Sequence, residues 1–204
     1  MPSIQTLIGE RFEQVLQELY PDLQHTGDTN NRTPDFAHAL FYAEAKVCFQ
    51  QRDFGIHLKQ YQIEAFASCN KPVIYIVGFH DFERSMERLT GLSLQAQKRK
   101  LEREMDIGRI VIVANQTMKQ IWKRRNYVCE KGHIQDCTVR GTHLQQIIDN
   151  AEIRVNGAMH RARAYYGIPS RSYTFATPQF QESKGLEIGH ILPKQWEAIL
   201  HCVY

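Results

Sequence analysis

The segment Phe41-Tyr42-Ala43-Glu44-Ala45-Lys46-Val47-Cys48 sets a carboxylate and an ammonium two positions apart in an otherwise apolar stretch. Side chains alternate faces along a strand. Phe41, Ala43, Ala45 and Val47 then share a face suited to a core, and Tyr42, Glu44, Lys46 and Cys48 share the other. By itself a Glu-x-Lys pair is an exposed ion pair worth about 0–1 kcal/mol. Its surroundings add to it. Asp35, after Pro34, precedes Glu44 by nine residues, and a strand, a turn and a second strand would bring the two carboxylates together. With the backbone carbonyl of Ala45 they make a hard oxygen set of the kind that binds Mg²⁺, which keeps several of its own waters. Lys46 beside that set has the charge to orient or deprotonate an attacking water and to stabilise negative charge at phosphorus.

The elements that must position these residues are legible from periodicity. Ser3 is a plausible N-cap, and Ile4, Leu7, Ile8, Phe12, Val15, Leu16 and Leu19 follow a helical period until Pro21 ends it. A short strand is predicted at 23–26, a polar loop to residue 33, and two strands at 34–39 and 41–48. Residues 50–54 read as a loop and 55–69 as a helix through Leu58, Tyr61, Ala65 and Phe66. Val73-Ile74-Tyr75-Ile76-Val77 and Ile110-Val111-Ile112-Val113 are short continuous apolar runs, the pattern of strands buried on both faces. Helical patterns at 82–105 and 116–124 lie around them. This alternation predicts an α/β sandwich with at least one parallel strand pair. Beyond residue 125 the signal weakens: 144–151 and 158–166 are candidate helices, and 168 to the end reads as loops and short strands.

Pro34-Asp35 followed by Glu44-Ala45-Lys46 resembles the signature of the PD-(D/E)XK nuclease superfamily. Gly9-Glu10-Arg11-Phe12-Glu13 in the first helix is similar to the form seen in Mrr-like restriction nucleases. Gln60 and Gln62 fall where such nucleases carry a glutamine, and 73–77 matches their next core strand. The resemblance spans roughly residues 3–80, and up to 114 at most. It implies a three-layer α-β-α sandwich around a mixed four- to five-stranded sheet, as in restriction endonucleases and Holliday-junction resolvases. It also implies Asp35 and Glu44 as metal ligands and Lys46 as the catalytic lysine, with Mg²⁺ or Mn²⁺ as cofactor. Of the helix glutamates, Glu13 borders the apolar stripe and is expected to reach the site as a further ligand, whereas Glu10 points to solvent. Gln60 is preferred over Gln62 as the site glutamine, with Gln62 kept open.

The chain of 204 residues is expected to form a nuclease core at 1–125 and an extension at 126–204, packed on the core and serving DNA binding or dimerisation. The expected activity is a Mg²⁺-dependent endodeoxyribonuclease, acting on DNA as a homodimer and without an organic cofactor. The alternative is a non-catalytic nucleic-acid-binding module on the same fold. A net charge of +3 permits a nucleic-acid partner without demanding one. Local clusters carry that case. Residues 84–125 hold eleven Arg or Lys against four Asp or Glu, with Lys98, Arg99, Lys100, Arg124 and Arg125 in the densest parts. Residues 154–181 lack acids and set Arg154, Arg161, Arg163 and Arg171 among aromatics able to stack on bases. Cys129, His133, Cys137 and His143 have the donor types of a tetrahedral zinc site. Their spacing is not a usual knuckle, so free thiols and surface histidines are the default. An odd cysteine count and the lack of a leader-like start or bilayer-length apolar run suggest a cytoplasmic protein away from membranes.

Overall fold

The computed structural model describes residues 2–27, 32–49, 56–80, 89–105, 107–123, 129–132, 136–139, 163–165, 168–170, 172–176 and 193–204. Helix α1 (Ile4–Leu19) starts as its sequence requires: Ser3 is extended, and its hydroxyl accepts the Thr6 amide at 3.1 Å. Leu7, Ile8, Phe12 and Leu16 form its buried stripe.

The strands are β1 (Gln24–His25), β2 (Phe36–Ala37), β3 (Tyr42–Phe49), β4 (Ile56–Lys59), β5 (Val73–His80), β6 (Ile107–Ala114), β7 (Cys129–Gly132), β8 (Asp136–Val139), β9 (Arg163–Tyr165), β10 (Ile168–Ser170) and β11 (Ser172–Ala176). Six of them make one mixed sheet in the order β1-β2-β3-β5-β6-β11. Only β3 and β5 run parallel, and the other neighbours in this sheet are antiparallel. A parallel pair needs a crossover connection, and α2 (Gln60–Ala67) supplies it. Every residue of β5 is buried, as expected of a central strand covered on both faces. The sheet exceeds the four to five strands anticipated because β1 is counted at one edge and β11 joins at the other.

Helices α3 (Leu94–Glu104), α4 (Asn115–Lys123) and α5 (Pro193–Val203) complete the described elements. On one sheet face Ala43, Ile74, Ile76, Ile110 and Ile112 share a core with Leu7, Phe12 and Leu16 of α1, Leu101 of α3, and Trp196, Ile199 and Val203 of α5. On the other face Tyr75 meets Phe66 of α2. Gly78 lets α1 approach the sheet: a Cβ built there would lie 2.3 Å from the Phe12 ring.

Four expectations are corrected. Residues 55–69 are not one helix, because Ile56–Lys59 pairs with β8 and the helix starts only at Gln60. The helix expected across 82–105 is interrupted at 90–93, where Gly91 has a φ of 81° and Ser93 caps the helix Leu94–Glu104; residues 82–88 lie outside the described residues. Arg163–Tyr165 is a strand rather than part of a helix. The C-terminal segment ends in a helix, where Pro193 tolerates the first turn and Trp196, Ile199, Leu200 and Val203 form one stripe. This segment is also built into the core. Trp196 is fully buried, donates from Nε1 to Asp22 Oδ2 at 2.7 Å, and packs against Phe41. Tyr204 closes the helix onto β5, its hydroxyl donating to Val73 O at 2.6 Å and accepting Val73 N at 3.0 Å. Among the described residues no helix is long and apolar enough to cross a membrane.

Gly78→Ala should lower stability by about 1–3 kcal/mol through overpacking against Phe12. Urea unfolding of the single variant and of Gly78→Ala/Phe12→Leu checks this: the second change, costly alone, should recover part of the loss, and strict additivity would contradict the contact.

Candidate functional site

Glu44 lies mid-strand in β3, in register with Tyr75 of β5 and Lys46 two residues on. It is 2% exposed. Its Oε1 accepts both the Lys46 ammonium and, at 3.2 Å, the side-chain amide of Gln62. Its Oε2 is buried and accepts no hydrogen bond. Burial pushes the Glu44 carboxyl up to about 7; the Asp35 charge adds to the rise and the Lys46 ammonium opposes it.

Asp35 reaches this carboxylate because β2 is short. The β2 ladder ends with Phe36 opposite Ala43, so the Ala45 N–H beyond it needs another acceptor. Asp35 Oδ2 accepts it at 2.8 Å. Thr26 fixes the backbone on the far side: its N–H donates to Asp35 O at 2.9 Å and its hydroxyl to Pro34 O at 2.9 Å. The Asp35 and Glu44 carboxyl groups are close enough for the Asp35 charge to raise the Glu44 proton affinity. What the structure defines for Ala45 is therefore its N–H, which fixes Asp35, rather than its carbonyl.

Glu13 faces the same cluster from α1. Burial raises its proton affinity, Asp35 raises it further, and His25 and Lys46 lower it. His25 holds it at 2.9 Å. Because His25 Nδ1 accepts the Gly27 N–H at 3.0 Å, Nε2 carries the proton and donates to Glu13. The His25 ring also packs edge-on to Phe36 at 5.3 Å.

The glutamine that reaches Glu44 is Gln62, not Gln60. Two positions on a helix are about 200° apart, so only one can face the sheet. Gln62 is buried with Ile63 and Phe66, whereas Gln60 bonds Glu64 along the exposed side at 2.8 Å. Sequence reasoning also missed His25 and Tyr75. The Tyr75 hydroxyl is buried without a hydrogen-bond partner, and burial together with the Glu44 and Asp35 charges holds its proton on firmly.

Among the described residues no group of three or more His, Cys, Asp and Glu side chains is gathered to hold a metal ion. The compact feature is the Asp35–Glu44 pair, with Glu13 held aside by His25. That pair still fits a Mg²⁺-type ion, which needs only one or two carboxylates beside its waters, and the orphaned Glu44 Oε2 is an oxygen lacking a cationic or donor partner. Of the expected nucleic-acid contacts, Lys98 pairs with Glu10 at 3.0 Å, tying α3 to α1, and Lys100 pairs with Glu104 at 3.3 Å. Arg99 is exposed. Arg124, Arg125, Arg161, Arg171, His133 and His143 lie outside the described residues. Arg163, Cys129 and Cys137 are described only by strand position, the two cysteines in the β7–β8 hairpin. Comparison of the chain with protein-family models, with curated proteins and with solved structures finds no match in any of the three.

A carboxyl raised in the fold stabilises it most below the ordinary carboxylate pKa of 4.5, and that contribution is lost as pH rises through about 7. In chelator-treated protein, the stability of wild type minus that of Glu44→Gln should fall across this window, by up to roughly 3 kcal/mol. The subtraction removes the opposite trend of His80, held at about 4 by burial. A difference that is flat with pH in thermal melts would remove the buried-charge account.

Proposed function

We propose that the chain is a divalent-metal-dependent nuclease hydrolysing DNA phosphodiester bonds. The observation that carries this reading is the Asp35–Glu44 carboxyl pair with Lys46 on it, held in a rigid sheet with one buried carboxylate oxygen unsatisfied. A structural ion pair needs one carboxylate per ammonium, and a second carboxyl held against the first works against stability. The cost is understandable if the pair serves to collect a cation. The arrangement agrees with the resemblance to PD-(D/E)XK nucleases: a glutamate-bearing first helix, a Glu-x-Lys strand, a glutamine on the following helix, and a central buried strand beyond. On this reading the helices on the two sheet faces form a three-layer α-β-α sandwich of the restriction-endonuclease kind.

Asp35 and Glu44 would hold the ion, which when bound supplies an activated water and neutralises charge at phosphorus. Lys46 brings a donor and a fixed positive charge to the oxygens of a phosphodiester placed over the pair. Gln62 positions Glu44 by occupying one lone pair of Oε1, so the carboxylate plane cannot turn. Glu13, oriented by the Nε2–H of His25, adds negative charge on the α1 side. DNA is the favoured substrate on the basic composition of residues 84–125 and 154–181.

Purified protein with Mg²⁺ or Mn²⁺ should nick or cut one or more of supercoiled, linear, branched and single-stranded DNA. Asp35→Ala and Lys46→Ala should each lower the rate at least about 100-fold. Undiminished cutting by either would sink the mechanism, and cutting of RNA alone would replace the substrate. Failure on every substrate, with retained DNA binding, would favour a non-catalytic binding module. Gln62→Ala should cost about 10–100-fold, in kcat rather than KM, while Gln60→Ala should leave cleavage at the wild-type rate.

A further inference from the structure

The Lys46 ammonium and the Gln62 amide both sit on Glu44 Oε1. The ammonium is tethered by its own strand, two residues along the same face, so the carboxylate meets it at an effective concentration no free ion matches. The partners differ in access to water: the Lys46 side chain is 20% exposed and that of Glu44 2%. The ammonium has a route to solvent that the carboxylate lacks. Asp35 beside Glu44 and Glu13 on α1 set three carboxyl groups against one ammonium.

We propose that Lys46 is a built-in placeholder cation, partly neutralising the Asp35–Glu44 pair in the absence of metal and weakening the binding of any divalent ion there. The inference rests on the reading that this pair takes such an ion. A doubly charged ion entering beside Oε2 meets the ammonium a few ångströms away, in surroundings where water screens poorly. It binds at full strength only when Lys46 swings toward solvent. The same residue thus keeps a buried pair of like charges tolerable and holds metal affinity low. A neutral side chain of similar length removes the competition and tightens binding.

Calorimetric titration of Mg²⁺ into the full chain, without DNA, tests this at a pH of about 8.5, where proton competition for carboxylates is small. Lys46→Met should bind at least about tenfold more tightly than wild type, equivalent to about 1.4 kcal/mol. Lys46→Arg, which keeps the charge, should bind no more tightly than wild type. Binding detectable only in Lys46→Met supports the proposal equally. Should Lys46→Met fail to melt cooperatively, Lys46→Gln takes its place. Equal or weaker binding by the neutral variant, with wild-type binding measurable, overturns the placeholder role and leaves the metal reading standing. Tightening in both Met and Arg variants overturns it as well, since packing rather than charge then sets the affinity. No binding by any folded variant removes the metal reading and this inference together.

Discussion

A carboxylate at 2% exposure has lost nearly all of the water that would solvate its charge, and Glu44 is in that position. Burying an unpaired ion costs several kcal/mol even after relaxation. The fold compensates in part: the Lys46 ammonium and the Gln62 amide meet one oxygen, the other is left bare, and the proton affinity rises until the group titrates at about 7. The composition of the nearby elements follows from this demand. β3 must carry a cation on the same face, α2 must start where its third residue can reach the sheet, and β5 must place the large ring of Tyr75 alongside to keep water out.

Holding Asp35 against Glu44 is the harder requirement, because the two repel. At an effective dielectric constant near 20, like charges about 4 Å apart repel by about 4 kcal/mol. The opposing forces are local. Asp35 gains a charge-assisted bond from Ala45 N–H, and its backbone is pinned by Thr26 through a main-chain bond and a hydroxyl bond to Pro34 O. A charge-assisted bond contributes about 1.5–3 kcal/mol net and an ordinary one about 1. Their sum is of the same order as the repulsion, so these local bonds offset much of it. The short length of β2 is part of this device. One more ladder pair would satisfy Ala45 through the backbone and leave Asp35 no reason to turn inward.

How far the sequence reveals this site follows from the range of each interaction. Glu44 and Lys46 on one face is a period-two statement about adjacent residues, and it holds in the structure. Asp35 near Glu44 needs only a strand, a turn and a strand, and it holds too. Gln62 is different. Choosing it over Gln60 requires knowing that Ile56–Lys59 is a strand, and that strand exists because it pairs with Asp136–Val139, nearly eighty residues away. No local pattern encodes that pairing, and the apolar residues of 55–69 fit a helical period equally well. His25 carried no signal, since its task depends on α1 and β1 lying side by side. The C-terminal helix was missed: Trp196, Ile199, Leu200 and Val203 form one stripe, but over a single short segment, within a stretch read as loops and short strands. Its place in the core was not legible either, because Trp196 meets Asp22 and Phe41 from the opposite end of the chain.

That long-range closure bears on the site. Trp196 packs on Phe41, the residue before β3, and its indole N–H holds Asp22, the residue before Leu23 on the way into β1. His38, between β2 and β3, stacks on Phe41 at 4.4 Å, and its Nε2 lies 3.3 Å from the same Asp22 oxygen. His38 Nδ1 accepts the Leu40 N–H, so it is Nε2–H that donates to Asp22. One carboxylate thus joins α5 to the turns on both sides of the β1–β2 ribbon, and that ribbon carries Thr26, Asp35 and His25. A shift of α5 would be felt first at the Asp22 and His38 end of that ribbon, across the two-residue strand β2 from Asp35. The last helix therefore bears on the candidate site without touching it, through the turns that anchor the short strands bringing Asp35 to Glu44.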